Sequence, residues 1–81
     1  MRLPRDLSGA RLATLLGRYG YEVVRQSGSH LRLTRNDGNS TYHLTIPDHR
    51  AIKIGLLAAI VTEVAGQLGR SRDEFSEELF G

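Results

Sequence analysis

Three features of the chain predict an α+β fold in the order α-β-β-β-α: a three-stranded antiparallel sheet with helices on one face and a short extra C-terminal helix. Apolar residues recur at helical spacing near both ends, and three short segments between them alternate apolar with polar residues. The connections between those segments carry turn signals and are too short for crossover helices, so neighbouring strands run antiparallel. Only one sheet face is apolar, so the helices must pack on that face.

Ser8 is a good N-cap for the first helix, and Leu7 before it can pack on Leu12 as a hydrophobic staple. Leu12, Leu15, Leu16 and Tyr19 form one apolar stripe, with Arg11 and Arg18 off it. Gly20 ends the helix, and Gly17 in its last turn costs roughly 1 kcal/mol against alanine. The first strand is Tyr21 to Gln26, with Tyr21 and Val23 on the core side and Glu22 and Val24 on the other. Ser27-Gly28-Ser29 is a short loop, and His30 to Arg35 is the second strand, with Leu31 and Leu33 on the core side. Asn36-Asp37-Gly38-Asn39 is a hairpin signal. The third strand, Ser40 to Ile46, puts Tyr42, Leu44 and Ile46 on the core side and is ended by Pro47.

An irregular link, Asp48 to Ile54, leads to a second helix from about Gly55 to Gly66, with Leu57, Ile60, Val61, Val64 and Leu68 at helical spacing. Ser71-Arg72-Asp73-Glu74 reads as a capping box opening the last helix, which runs to Phe80. A single domain over residues 1–81 is expected, with its core in about 7–68 and the short helix in about 72–80. This is the architecture of a double-stranded-RNA-binding domain.

Composition narrows the function. The chain has no cysteine, which removes thiolate metal sites, disulfides and a cysteine nucleophile. Its longest strongly apolar run, Ile54 to Val61, is too short to span a membrane, and the N-terminal residues are not followed by the apolar run of an export signal. A cytoplasmic location is expected. The net charge of +2 is unevenly placed: residues 1–69 carry +4 and residues 70–81 carry −2, and ten of the eleven cations are arginine. Guanidinium forks suit phosphate, so the basic body points to a polyanion.

The open sheet face would present His30, Arg32, Thr34, Thr41, His43 and Thr45. A histidine there can take a proton from a ribose 2′-hydroxyl or give one to a leaving 5′-oxygen. RNA carries its own nucleophile, so this route needs only proton transfer and cations around the phosphate. Arg32, on the same face, would hold a phosphate oxygen, with help from the Gly28 and Ser29 N–H groups. His43 and His49 are possible accessory groups. Arg50 and Lys53 precede the second helix, whose free N–H groups complete a phosphate-binding corner, and Lys53 is expected to bind the phosphate with Arg32. The three histidines have no ligand spacing, so no metal is expected, nor a small-molecule cofactor. Each of these residues also suits an ordinary solvated surface. Two other classes therefore stay open: a non-catalytic RNA-binding module, and a protein-interaction domain using the open face or a strand edge. Loss of binding with rising salt would separate the RNA readings from the last one.

An ordered set of short matches adds to this. Leu7-Ser8, Leu15-Leu16, the run Tyr19-Gly20-Tyr21-Glu22-Val23-Val24-Arg25-Gln26, and Gly28-Ser29-His30 come first. After the Asp37-Gly38 turn follow Ile46-Pro47-Asp48-His49, Lys53-Ile54-Gly55-Leu56-Leu57 and Ser71-Arg72-Asp73-Glu74-Phe75. Over about residues 7–80 the chain resembles the HicA toxin family, mRNA interferases of bacterial and archaeal toxin–antitoxin pairs. The resemblance implies a fold like that of the double-stranded-RNA-binding domain, ribosome-independent cleavage of mRNA, a HicB-like antitoxin partner, and His30 as the catalytic histidine after its Gly-Ser pair. One departure is that the family often has Gly-Thr-Leu where this chain has Gly55-Leu56-Leu57, so a hydroxyl is missing from the phosphate corner.

Overall fold

The computed structural model describes residues 2–81. Its elements are α1 (Gly9–Leu16), a 3-10 turn (Gly17–Tyr19), β1 (Glu22–Ser27), β2 (His30–Asn36), β3 (Thr41–Pro47), α2 (Ile54–Leu68) and α3 (Arg72–Phe80). The strands form one antiparallel sheet in the order β1-β2-β3. The predicted α+β class and element order are both observed.

Local signals set the helix ends. The Ser8 hydroxyl accepts from the Arg11 N–H at 3.0 Å, and the Ser71 hydroxyl accepts from the Glu74 N–H at 3.1 Å. Each satisfies one of the orphan donors of a helix start. The first helix tightens into the 3-10 turn before it stops, and the Gly20 N–H donates to the Gly17 carbonyl at 3.2 Å. Gly17 sits in the right-handed helical region and faces open space, so nothing there requires glycine. Gly17→Ala is expected to raise stability by about 0.4–1 kcal/mol, read as a higher denaturation midpoint at unchanged slope.

One core joins the layers. Leu31 and Leu33 of β2 lie opposite Ile46 and Leu44 of β3, and all four are buried. Leu12 and Leu16 of α1, Leu57, Val61 and Val64 of α2, and Phe75 and Leu79 of α3 complete the cluster. Ile52, in the link before α2, is also fully buried, and its N–H donates to the Leu7 carbonyl at 2.8 Å.

The first strand departs from expectation. It starts at Glu22, runs to Ser27, and every residue in it is exposed. Tyr21 is buried as predicted but lies just outside the strand, its hydroxyl bonded to Gln67. Val23, expected in the core, pairs with Leu33 yet is 49 % exposed. It lies on the helix side of the sheet, but β1 is an edge strand and the helix layer leaves it uncovered. Tyr42, also expected in the core, is only half-buried, with the Arg35 guanidinium 5.6 Å from its ring centre. Pro47 does not end β3 early: it is the last strand residue, opposite His30, on an edge strand that tolerates a missing donor.

Two close approaches tie the ends of the elements together. A Cβ on Gly9 would lie 2.0 Å from the Pro47 carbonyl oxygen, so only glycine lets α1 start against the end of β3. The Gly9 N–H donates to the His49 carbonyl at 3.0 Å across the same contact.

The last helix is held by a polar clasp. The Arg70 Nη1 and Nη2 donate to Glu78, at 3.1 and 2.6 Å, and the Tyr19 hydroxyl donates to the same carboxylate at 2.6 Å. The Tyr19 ring meets Phe75 edge-on with centroids 5.0 Å apart. The hydrogen bonds from Arg70, then that from Tyr19, pull the Glu78 carboxyl down to about 2. A carboxylate so lowered stabilises the fold above its ordinary range and loses that contribution as pH falls towards 2. Glu78→Gln is therefore expected to melt below the parent at pH 7, and the gap should close between about pH 4.5 and 2. The effect is modest, because the pair is open to water and salt.

Candidate nucleic-acid site on the open sheet face

The face of the sheet away from the helices carries the site. β1 and β2 are joined by the two residues Gly28 and Ser29, with Ser27 opposite His30. Gly28 has φ +58 and Ser29 has a negative φ, the arrangement of a hairpin whose first central residue must be glycine. A Cβ at Gly28 would meet nothing within 4 Å, so its role is conformational and the space beside His30 is open. The turn is braced from the far edge: the Asp48 N–H donates to the Ser29 carbonyl at 2.6 Å, and the Gln26 side chain donates to the Asp48 carboxylate at 2.9 Å.

Rows of residues cross the three strands on this face. Ser27, His30 and Pro47 form the first row, Arg25, Arg32 and Thr45 the second, and Glu22, Thr34 and His43 the third. A groove of about 630 Å³ runs over them; Arg25, His30, Arg32 and His43 are among its lining residues, and no carboxylate lines it. His30 and Arg32 are exposed, as expected. His43 lines the same groove, but two rows from His30, about 13 Å along the strand direction. That is too far for both imidazoles to serve one phosphodiester. His43 is therefore not brought together with His30 as a proton-transfer pair.

His49 is exposed in the link after β3, two residues beyond the one that faces His30. Only its carbonyl has a defined contact, the bond from Gly9. Arg50 is exposed in the same link, and Lys53 is the exposed N-cap of α2, with no side-chain capping bond. Neither lines the groove, so Lys53 does not join Arg32 in the groove as expected. Among the described residues no group of three or more His, Cys, Asp or Glu could hold a metal ion. No described helix is long and apolar enough to cross a membrane.

Arg25 is the residue that alternation along the first strand missed. The register slips between Val23 and Arg25, so Val23 faces Leu33 while Arg25 faces Arg32. Val24 is the extra residue of a β-bulge, and both Val24 and Arg25 line the groove. The signal was present as a conflict of phase. Counting forward from the buried Tyr21 puts Arg25 on the core side. Counting back from the turn, where Ser27 must face His30, puts it on the open side.

Comparison with protein families matches residues 9–69 to the family described as the HicA toxin of bacterial toxin–antitoxin systems. Comparison with curated proteins and with solved structures gave no match.

Proposed function

The chain belongs to the HicA toxin family, the toxin half of bacterial toxin–antitoxin pairs, and on that premise we propose that it is an mRNA endoribonuclease using His30 as its general acid/base. The observation that carries this reading is His30 itself: exposed, at the open mouth of a carboxylate-free groove, with the Arg32 guanidinium one row away on the same strand. The fold alone would not carry it, since the same architecture serves many binding modules.

The chemistry is transesterification. The His30 imidazole takes the proton of a ribose 2′-hydroxyl, and the oxygen attacks the adjacent phosphorus. The bond to the 5′-oxygen breaks, and that oxygen takes its proton from solvent water. The products are a 2′,3′-cyclic phosphate and a free 5′-hydroxyl. The Gly28 and Ser29 N–H groups at the turn offset the negative charge that builds on the phosphoryl oxygens, and Arg32, one row on, holds the RNA backbone beside them. Arg50 and Lys53, with the start of α2, attract the RNA backbone outside the groove. The partner implied by the family is an antitoxin protein; a HicB-like chain covering the basic open face would silence the groove. The reaction belongs in the cytoplasm, where its substrate is.

The test is cleavage of a defined single-stranded RNA by the purified chain in the presence of a chelator. Products ending in a 2′,3′-cyclic phosphate, and no cut where the nucleotide carries a 2′-deoxy sugar, are expected. RNA that is bound but left intact, or a deoxy position cut as fast as its ribose counterpart, overturns the mechanism.

A further inference from the structure

Arg25 and Arg32 face each other across β1 and β2, brought together by the bulge at Val24. Like charges directly opposite on a sheet repel. Neither guanidinium is neutralised: both residues are exposed, and neither has an ion pair or side-chain hydrogen bond. Two forks converging on one groove at that cost form a seat for a shared anion, and phosphate matches their geometry.

We infer that Arg25 and Arg32 together grip the phosphate next to the scissile one, on RNA that lies single-stranded along β2. This rests on His30 marking the scissile phosphate. The arginine row is two strand residues from His30, about 6.6 Å, a spacing comparable to one step along an unstacked sugar–phosphate backbone. The following row ends the track, because Glu22, outside the groove lining, lies opposite Thr34 there and repels a further phosphate. That row also holds His43, whose ring can stack on a base, and Val24 offers an apolar contact beside it. A duplex is excluded by the reaction itself. In-line attack by the 2′-oxygen needs the backbone rotated out of its helical geometry, which an extended strand permits.

The experiment reads binding and cutting separately. A short single-stranded RNA is made non-cleavable with 2′-deoxy sugars. Its phosphates are then replaced one at a time by neutral methylphosphonates, and affinity is measured by fluorescence anisotropy for the parent chain, Arg25→Ala and Arg25→Lys. Arg25→Ala is expected to weaken binding of the fully charged strand about tenfold, with partial recovery in Arg25→Lys. At one phosphate only, neutralisation should cost the parent more than Arg25→Ala does and should cost the Arg25→Ala variant distinctly less, because Arg32 alone then holds it. The all-ribose version of the strand, cut by the parent chain, should show that phosphate to be the immediate neighbour of the cleaved bond. Cleavage with losses that add at every position overturns the grip, as does an equal Arg25 dependence for the matching duplex. One coupled phosphate with no cleavage anywhere overturns the catalytic reading of His30 and, with it, the placement of the grip beside a scissile bond. Circular dichroism melts of the variants guard against misfolding, which the exposure of Arg25 makes an unimportant risk.

Discussion

His30→Ala is expected to slow RNA cleavage by about 10²–10⁴-fold, the usual worth of a positioned acid/base group. Stability should change by no more than about 0.5 kcal/mol, because the side chain is exposed at the start of β2 and no element packs on it. The turn that positions it is set by Gly28 and by the Asp48–Ser29 bond, both untouched by the substitution. RNA affinity should survive, since the guanidinium pair one row away remains. Single-turnover cleavage of a labelled oligonucleotide, with a melting curve beside it, measures both effects. Added imidazole should restore part of the rate in the alanine variant by supplying the missing base from solution. A variant that cuts as fast as the parent would remove His30 from the chemistry.

Gly9→Ala should be the most damaging small substitution for stability. The added carbon would sit 2.0 Å from the Pro47 carbonyl oxygen, 3.0 Å from its carbon and 3.1 Å from the Asp48 Cα. All three are backbone atoms, so no rotamer relieves the clash, and α1 or the end of β3 must move. Such overpacking costs about 1–3 kcal/mol, and occasionally more. For a chain of this size, 2 kcal/mol corresponds to a fall in Tm of roughly 8–16 °C. Activity should fall as well, by a different route. The Pro47–Asp48 side of that clash carries the Asp48 N–H that holds Ser29, the residue before His30. A calorimetric scan and the oligonucleotide assay should therefore both report a loss. An unchanged Tm would show that the contact between α1 and β3 is looser than described.

The parts legible in the sequence were those decided locally. Ser8 and Ser71 cap helices through bonds three residues away, and the Asp37 carboxylate closes its own turn by accepting from the Asn39 and Ser40 N–H groups. Those two bonds also hold its carboxyl below the ordinary range. Leu31, Leu33, Leu44 and Ile46 were readable because β2 is paired on both sides and alternation runs through it without interruption. Val23 and Tyr42 were misread because alternation assigns a face but not how far the helices reach over it. His30 and Arg32 follow directly from the phase of β2. Arg25 did not, because its side depends on a register slip that only pairing with β2 reveals. The contact between Gly9 and the end of β3 joins segments far apart in the chain, and no local pattern encodes it.

The bulge in β1 has a second consequence. Its outer rim pairs with nothing in the sheet, and a straight rim of that kind is a template on which another copy can add a strand. One inserted residue breaks the regular spacing of the rim's donors and acceptors and twists it out of plane. The irregularity that delivers a guanidinium to the groove thus also makes this rim a poorer template for a second copy.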